Sequence, residues 1–486
     1  MTLAYYLRQN GSSHTRTLQK NAILRTVTIE RRNCTENEGN QLLRRMAHRL
    51  FSLARIIQAD GGARGTVESK QLMVETTAVV LGVLVSFVIA IGVRFLANRV
   101  TFPYTVLLVT VGFTLTIFPL QTYLGFSLDP LFTHDTILFV FLPAILFYGA
   151  AEIDHDLFRR NLLIIVITVL VGLPVAILAI GWIGAKLFGI PLLIMLLFGA
   201  MAYPIDPVAV LSLFEKSGAP PRLAVLVEGE SLLDDGLAIV LFSAVLALVR
   251  EASPTDLTGT GLFSFDRLGA FLINFHIVSL GGILVGVGIG YATYRTQRVV
   301  NDRTNLFMIS VIGVYGGFYL AEHVLHVSGI LATVVTGIVL GTFSRQSALS
   351  EENLEFLGEI WEKIVFLSET MLFVAIGIEV SSIQVLRTLP VVLTTLLLLI
   401  GVRAGVIYGI VNLLNQVIKD PVPVSYQHVI IWGGMHGVIP IALALSLGPS
   451  VPFGSQLRSA VFGVVIASMI IQGLSMTSVL KATGVT

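Results

Sequence analysis

The chain has 486 residues, of which 55% are hydrophobic and only 13% are charged, and its formal net charge is +1. Soluble domains carry about 25% charged residues, so the composition excludes an ordinary soluble protein. The near-neutral charge also gives no reason to expect a nucleic acid partner. A mean hydropathy of +0.85 instead indicates a membrane protein with several spans.

The first 72 residues differ from the rest of the chain. Residues 1–70 hold twelve Lys and Arg against five Asp and Glu, and they lack the apolar run of a secretory signal. Three interpretations stay open: a basic tail that is disordered or lies on a surface, an organellar transit peptide, or a start codon assigned too early, before Met73. We favour the early start or a dispensable tail. The only cysteine, Cys34, lies here, so no disulfide framework is expected.

Residues 73–486 are predicted to form one all-α membrane domain of about thirteen helices, with no soluble domain between them. A helix crosses the hydrocarbon core with about 20 apolar residues, and the runs that start at Asn161 and Val391 satisfy this. Backbone in lipid must satisfy its own hydrogen bonds, so the spans are helices. The predicted spans begin near Glu75, Phe102, Asp135, Asn161, Ile190, Leu223, Leu268, Thr304, Ser328, Trp361, Thr388, Tyr426 and Arg458.

The short loops predict the orientation. Loops after the odd-numbered spans, together with the C-terminal tail, carry twelve Lys and Arg, whereas the opposite loops carry five. Positively charged loops face the cytoplasm, so the first set and the C-terminus are expected there. The sequence therefore predicts a multi-pass protein in the lipid bilayer of the cell membrane.

Two of the predicted spans are interrupted. Pro204 and Pro207 break the fifth span, and Gly434 and Pro440 break the twelfth. Proline removes a helical hydrogen bond, and irregular backbone at membrane depth is tolerated only beside protein or a water-filled cavity. Breaks in the fifth and twelfth spans predict two inverted six-helix repeats with ions bound between half-helix ends. Asp206 is expected to neutralise N-terminal ends at the crossing.

Ionisable side chains inside a span cost about 2.5–3.5 kcal/mol even on a lenient scale, so each one marks a candidate site. Helical spacing places Glu228, Ser231 and Asp235 on one stripe of the sixth span, and Glu230 and Asp234 on the adjacent stripe. One stripe is suited to a water-filled cavity and the other to a partner. Glu228, near the start of the span, is more simply explained as interfacial.

Two more charged or titratable residues lie inside predicted spans. Arg403 is the obvious partner for Glu230, because an unpaired buried guanidinium is untenable. We expect this ion pair to be structural, since Arg does not release its proton at working pH. His436 is either a core histidine with satisfied hydrogen bonds or a proton-linked residue, and both interpretations stay open.

The run IDPVAVLSLFEKSGAPPRLAVLVEGESLLDDGLAIVLF, starting at Ile205, resembles the fifth and sixth spans of the monovalent cation:proton antiporters. The relevant branch holds bacterial and archaeal Na+/H+ antiporters and animal Na+/H+ exchangers. FLPAILFYGAAEID, GVRAG and WGGMHGVIPIALALSLG are similar to its third, eleventh and twelfth spans. The resemblance extends from about Met73 to the C-terminus and implies an all-α fold of the NhaA/NhaP type.

The resemblance also implies how such a protein works. Core helices, here at about 161–250 and 384–480, would move against dimerisation helices at about 75–150 and 268–380 in a homodimer. The expected activity is exchange of a monovalent cation for protons by alternating access, serving pH and cation homeostasis, with no cofactor. Na+ is the expected substrate, and Li+ and K+ are the alternatives.

The cation would bind at Asp206 and Asp235, with Ser231 nearby, and protons would compete for the same carboxylates. Two carboxylates in a partly desolvated site titrate as a coupled pair, which fits such competition. A hard, oxygen-lined site suits Na+, Li+ or K+ rather than a transition metal. In this family Glu230 and Arg403 would correspond to a structural ion pair.

The chain departs from the family pattern at four positions. Ile205 replaces the usual Thr before the first aspartate, so any ligand there must be its carbonyl. Tyr148 stands where a Glu is frequent, and Asp234 stands where an Asn is usual. We hypothesise that Asp234 titrates and changes the stoichiometry. His436 replaces a common Arg, and a group that titrates near neutral pH is a candidate pH sensor.

Other classes of function are weighed against this transporter. Paired intramembrane aspartates also occur in intramembrane aspartyl proteases, but the YD and GxGD motifs of those enzymes are missing. A non-transporting sensor on the same fold would normally carry a cytoplasmic domain beyond the last span. A K+/H+ antiporter of the same fold is the nearest alternative, and the expected protein is in either case not an enzyme.

Overall fold

A computed structural model describes residues 79–117 except 98 and 100–103, residues 132–251, and residues 265–486 except 301, 348, 380–381 and 449. The predicted N-terminal extension at 1–72, including Cys34, lies outside these residues. Within the described ranges all regular secondary structure is helical. The all-α class predicted from the sequence is thereby confirmed.

The described residues form fifteen helices, numbered in chain order. The first seven are α1 (Val79–Ala97), α2 (Tyr104–Ile117), α3 (His134–Glu152), α4 (His155–Phe188), α5 (Leu192–Ala202), α6 (Val208–Ser217) and α7 (Pro221–Glu251). The others are α8 (Phe265–Gln297), α9 (Arg303–Val324), α10 (Gly329–Ser347), α11 (Glu351–Glu379), α12 (Ser382–Leu414), α13 (Val424–Trp432), α14 (Val438–Leu445) and α15 (Gly454–Ala482).

Eight of these helices contain a segment long and apolar enough to cross a membrane. They are α1, α3, α4, α7, α8, α9, α12 and α15, and shorter apolar segments lie in α2, α5 and α10. This agrees with a multi-pass membrane protein, while the total of thirteen crossings stays a prediction. Helix α11 starts at Glu351, ten residues before the predicted start at Trp361, because its first turns are polar and hide the boundary.

Both predicted breaks are present, and they lie against each other. Helix α5 ends at Ala202 and α6 begins at Val208, and α13 likewise ends before a non-helical segment that leads into α14. The backbone N–H of Asp206 in the first break donates to the carbonyl of Met435 in the second, at 2.7 Å. Each break therefore satisfies part of the other's backbone, as irregular chain at membrane depth requires.

The helices around the breaks pack in two groups. In one group α4 packs against α5, α5 against α7, and α12 against α15; in the other, α2 packs against α11, and α3 and α8 pack against α10. The second group contains very close helix contacts: a Cβ on Gly286 of α8 would overlap the carbonyl of Ala332 on α10. Such small-residue contacts are typical of helices packed in lipid.

Candidate ion-binding site between the broken helices

Asp206 lies where the two broken spans cross. Its Oδ1 accepts a hydrogen bond from the N–H of Val208 at the start of α6, at 3.0 Å. The backbone of Val438, at the start of α14, also faces this carboxylate. The free N–H groups at helix N-termini carry partial positive charge. Asp206 thus meets the N-terminal ends of both half-helices, the position predicted from the sequence.

Gly437 permits this arrangement. A Cβ on Gly437 would overlap the Asp206 carboxylate, so any larger residue would displace the acid or the break. The neighbouring Gly434 has a related role, because a Cβ there would overlap the side chain of Arg403. The glycines of the second break are therefore needed for close approach by charged side chains.

Ile205 contributes its backbone rather than its side chain. Its carbonyl oxygen accepts a hydrogen bond from the Ser231 hydroxyl of α7, at 2.8 Å, while the residue itself is buried. Because Ile205 lacks the hydroxyl of the usual Thr, the backbone carbonyl is the only ligand that this position was predicted to offer. Two neutral oxygens, from Ile205 and Ser231, thus lie together next to Asp206.

One stripe of α7 faces a cavity of about 540 Å³. Glu228, Ser231 and Asp235 line the cavity together with Asp206 and Ile205, so the stripe lies where its spacing predicted. Asp235 is 6% exposed, and its Oδ1 has no hydrogen-bond partner among the described residues. A buried carboxylate oxygen without a donor is costly, so the site is suited to a proton or a cation.

The adjacent stripe of α7 faces a buried cation. Glu230 Oε2 accepts a hydrogen bond from Arg403 Nη2 at 3.0 Å, and the two side chains are 5% and 4% exposed. Arg403 Nε also donates to the carbonyl of Ile430, at 3.2 Å. The contact expected from the sequence between Glu230 and Arg403 is therefore present.

Asp234 belongs to this second group rather than to the cavity. It is 1% exposed, and within the described part of the chain its Oδ2 has no hydrogen-bond partner. Asp234 lies close enough to Glu230 and Arg403 for its charge to interact with theirs. The residues that line the 540 Å³ cavity do not include Asp234. The structure thus brings Asp206 and Asp235 to one cavity and places Asp234 on the adjacent stripe of the helix, with Glu230 and Arg403.

His436 is buried next to the same guanidinium. Its ring is within electrostatic reach of Arg403, and its backbone N–H donates to the Ser468 hydroxyl at 3.2 Å. The residue is 3% exposed, and its Nδ1 has no hydrogen-bond partner among the described residues. A change in the charge of His436 would therefore alter its electrostatic interaction with Arg403.

The sequence reasoning missed Glu369. This residue of α11 lines the cavity together with Asp206, and the two carboxylates are close enough to interact electrostatically. Tyr148 of α3, one of the four positions where the chain departs from the family pattern, lines the cavity as well. Glu369 falls inside the predicted tenth span, so the rule that an intramembrane carboxylate marks a site, applied there, would have found it.

Two basic residues lie at one end of the cavity. Arg94 of α1 and Lys216 of α6 both line it, and Lys216 Nζ donates to the carbonyl of Ala97 at 3.4 Å. The guanidinium of Arg94 lies over the ring of Phe366, 5.2 Å from its centroid. Both residues were counted from the sequence among the basic residues expected at the cytoplasmic side, and the structure places them near the ends of α1 and α6.

Comparison with known proteins connects this site to a family. Residues 83–482 match the family model described as "Sodium/hydrogen exchanger, transmembrane". The Na(+)/H(+) antiporter ApNhaP of Aphanothece halophytica is 31% identical over 405 residues, which cover 82% of this chain and 74% of that protein. The Na(+)/H(+) antiporter NhaP of Pseudomonas aeruginosa is 31% identical over 348 residues, covering 69% and 78%.

A solved structure has the same fold. The sodium proton antiporter MjNhaP1 from Methanocaldococcus jannaschii at pH 8 superposes with a TM-score of 0.65 at 19% identity, covering 85% of this chain and 98% of that one. The antiporter fold implied by the family resemblance is thus confirmed. Together with the family match, this shows that the chain belongs to the sodium/hydrogen exchanger family, a family of membrane transporters and not of enzymes.

Proposed function

We propose that this chain exchanges sodium ions for protons across a membrane, and that Asp206 and Asp235 form the site that both ions share. The observation that carries the proposal is that the partly buried Asp206 and the buried Asp235 line one cavity, where Asp235 Oδ1 has no donor among the described residues. The names of the relatives, which are Na(+)/H(+) antiporters, support the same activity.

Competition between the two ions follows from the charges. Two carboxylates that share a desolvated cavity repel each other, so the ionised pair is unfavourable unless a cation lies between them. A proton on one carboxylate removes the same repulsion. Sodium and protons therefore exclude each other at this site, and that exclusion couples their movements.

The neutral oxygens would complete the coordination of sodium. Hard cations prefer carboxylate, carbonyl and hydroxyl oxygens, and the Ile205 carbonyl and Ser231 hydroxyl supply the last two. Glu369 adds a third carboxylate to the cavity wall. Li+ and K+ offer the same chemistry at other radii and are the alternative substrates.

Alternating access would come from movement between the two helix groups. Asp206 and Asp235 lie on the predicted core helices, whereas Tyr148 and Glu369 lie on the predicted scaffold, so the cavity is lined from both parts. A shift of the core along the scaffold would therefore close one entrance and open another. The entrance beside Arg94 and Lys216 is then the cytoplasmic one.

Assembly and location are further parts of the proposal. Helix α1 exposes Val88 and Ile91, and α8 exposes Leu284, at 70%, 72% and 72%. Such apolar faces are suited to lipid or to a second copy of the chain, and we propose that the scaffold dimerises. In the cell membrane, with the C-terminus in the cytoplasm, the exchanger would serve pH and sodium homeostasis.

Everted vesicles that hold a quenched pH-sensitive dye test the proposed exchange. Adding Na+, Li+ and K+ separately should give dequenching with Na+ in the unchanged protein and none in Asp235→Asn, since amide nitrogen cannot carry the negative charge. Glu251→Gln is the matched control, because it removes an exposed carboxyl from the end of the same helix. Retained exchange in Asp235→Asn would refute the site, and a response to K+ alone would favour K+/H+ antiport.

A further inference from the structure

A second cavity, of about 380 Å³, lies beside the first and is assigned no role by the proposed exchange. Helices α3, α8, α9, α10 and α11 contribute to its lining. Tyr148 lines both cavities, so they adjoin each other at this residue. The second cavity is lined by three glutamates and by no Lys or Arg, within the described part of the chain.

The buried part of this cavity offers oxygen acceptors. Gln297 is 1% exposed, and its amide nitrogen donates to the carbonyl of Leu306 at 3.1 Å, which fixes the amide orientation. The remaining atom, Oε1, is buried and has no hydrogen-bond partner among the described residues. The Ser344 hydroxyl, in a residue 5% exposed, is buried without a partner in the same way. A buried polar atom without a protein partner is free to bind a water molecule or an ion.

The exposed part of the cavity carries negative charge. Glu152, Glu355 and Glu359 line it and are exposed, and neither Glu355 nor Glu359 has an ion pair in the described ranges. Two cations on the neighbouring parts of α9 and α11 are engaged by other carboxylates: Arg303 pairs with Glu352, and Lys363 pairs with Glu362. The field at the entrance therefore attracts cations towards the buried acceptors.

We propose that this second cavity binds a partly hydrated monovalent cation. The Gln297 and Ser344 oxygens are its inner ligands, and Glu355 and Glu359 supply the charge that attracts it. A divalent ion is the poorer fit, because no three acidic or histidine side chains among the described residues come close enough to hold a metal. The ion would lie in a cavity that adjoins the transport cavity at Tyr148.

Trp361 provides a probe that does not depend on transport. It lines the second cavity, is 3% exposed, and donates from Nε1 to the Ser310 hydroxyl, which also lines it. We expect tryptophan emission of the purified protein to change saturably with NaCl when choline chloride keeps the ionic strength constant. The measurement uses Asp206→Asn/Asp235→Asn, which removes both central carboxylates of the first cavity, and 22Na+ binding gives the stoichiometry.

Three variants in that background decide the proposal. Glu355→Gln/Glu359→Gln should raise the half-saturating sodium concentration by about tenfold or more, because it removes the attracting charge. Glu351→Gln, an exposed carboxyl of the same helix outside the cavity, should not change it. Trp361→Phe should abolish the emission change.

Three results would overturn the second site: no saturable emission change or 22Na+ binding, an unshifted titration in the glutamate pair variant, or an emission change that survives Trp361→Phe. Ser344→Ala provides an independent check at the buried end and should also weaken binding. Because these measurements require no exchange activity, their failure leaves the proposed transport untouched, and loss of exchange leaves the second site untouched.

Discussion

The buried pair between Glu230 and Arg403 permits a quantitative prediction of stability. With an effective dielectric constant of about 20, unit charges at the observed 3.0 Å attract each other by about 5 kcal/mol. Breaking a buried pair by removing one partner typically costs about 3–5 kcal/mol, because the other charge stays buried. Glu230→Gln and Arg403→Met should each lower the free energy of unfolding by this amount, a large part of a typical total of about 5–15 kcal/mol.

The assay is SDS titration in mixed micelles, which gives the free energy of unfolding for each variant. The double variant should lose much less than the sum of the single losses, because neither charge then stays behind. Lys363→Met is the matched control: its pair with Glu362 has side chains 64% and 54% exposed and should cost about 1 kcal/mol or less. Additive single losses within about 0.5 kcal/mol, or losses no larger than the control's, would refute the reasoning.

Four further predictions concern transport. Gly437→Ala should raise the half-saturating sodium concentration about tenfold or more, since its methyl group displaces the adjacent carboxylate, whereas Gly401→Ala, where the space is open, should not. Glu369→Gln should weaken sodium binding in the same dye assay, and an unchanged concentration dependence would remove Glu369 from the site. If Asp234 carries an extra proton, exchange should respond to a potential clamped with K+ and valinomycin, and Asp234→Asn should abolish that response; indifference of the unchanged protein contradicts the electrogenic hypothesis. His436→Gln should shift the pH profile of exchange if His436 senses pH, and an unchanged profile would end that proposal.

The parts of the site that the sequence predicted depend on local rules. The two prolines around Asp206 interrupt the helix whatever its packing partners are. The i, i+4 spacing alone places Ser231 and Asp235 on one stripe of α7. The ion pair of Arg403 with Glu230 was predictable because a buried guanidinium without an acidic partner is strongly unfavourable. These inferences needed neither neighbouring helices nor loop conformations.

The parts that sequence reasoning missed depend on tertiary packing. Helical spacing separates Asp234 from Asp235, but only the packed helices show that Asp235 lines the cavity while Asp234 lies outside it with Glu230 and Arg403. The charge rule applies to Glu369, which lies inside the predicted tenth span, but only the packed helices show that it faces the same cavity as Asp206. The second cavity is formed by the distant helix α3 together with the consecutive helices α8 to α11, and no local pattern around Gln297 indicates it.

The hydrogen bond from the Asp206 amide to the Met435 carbonyl joins main chain to main chain, at 2.7 Å. Every standard amino acid has a carbonyl, so no substitution at residue 435 deletes this acceptor, and at residue 206 only proline would remove the donor. A complete mutational scan would therefore report side-chain size at Met435 and say nothing about the bond itself. Detecting the bond requires backbone chemistry, such as an amide-to-ester replacement at position 206, which removes the donor and keeps the carboxylate.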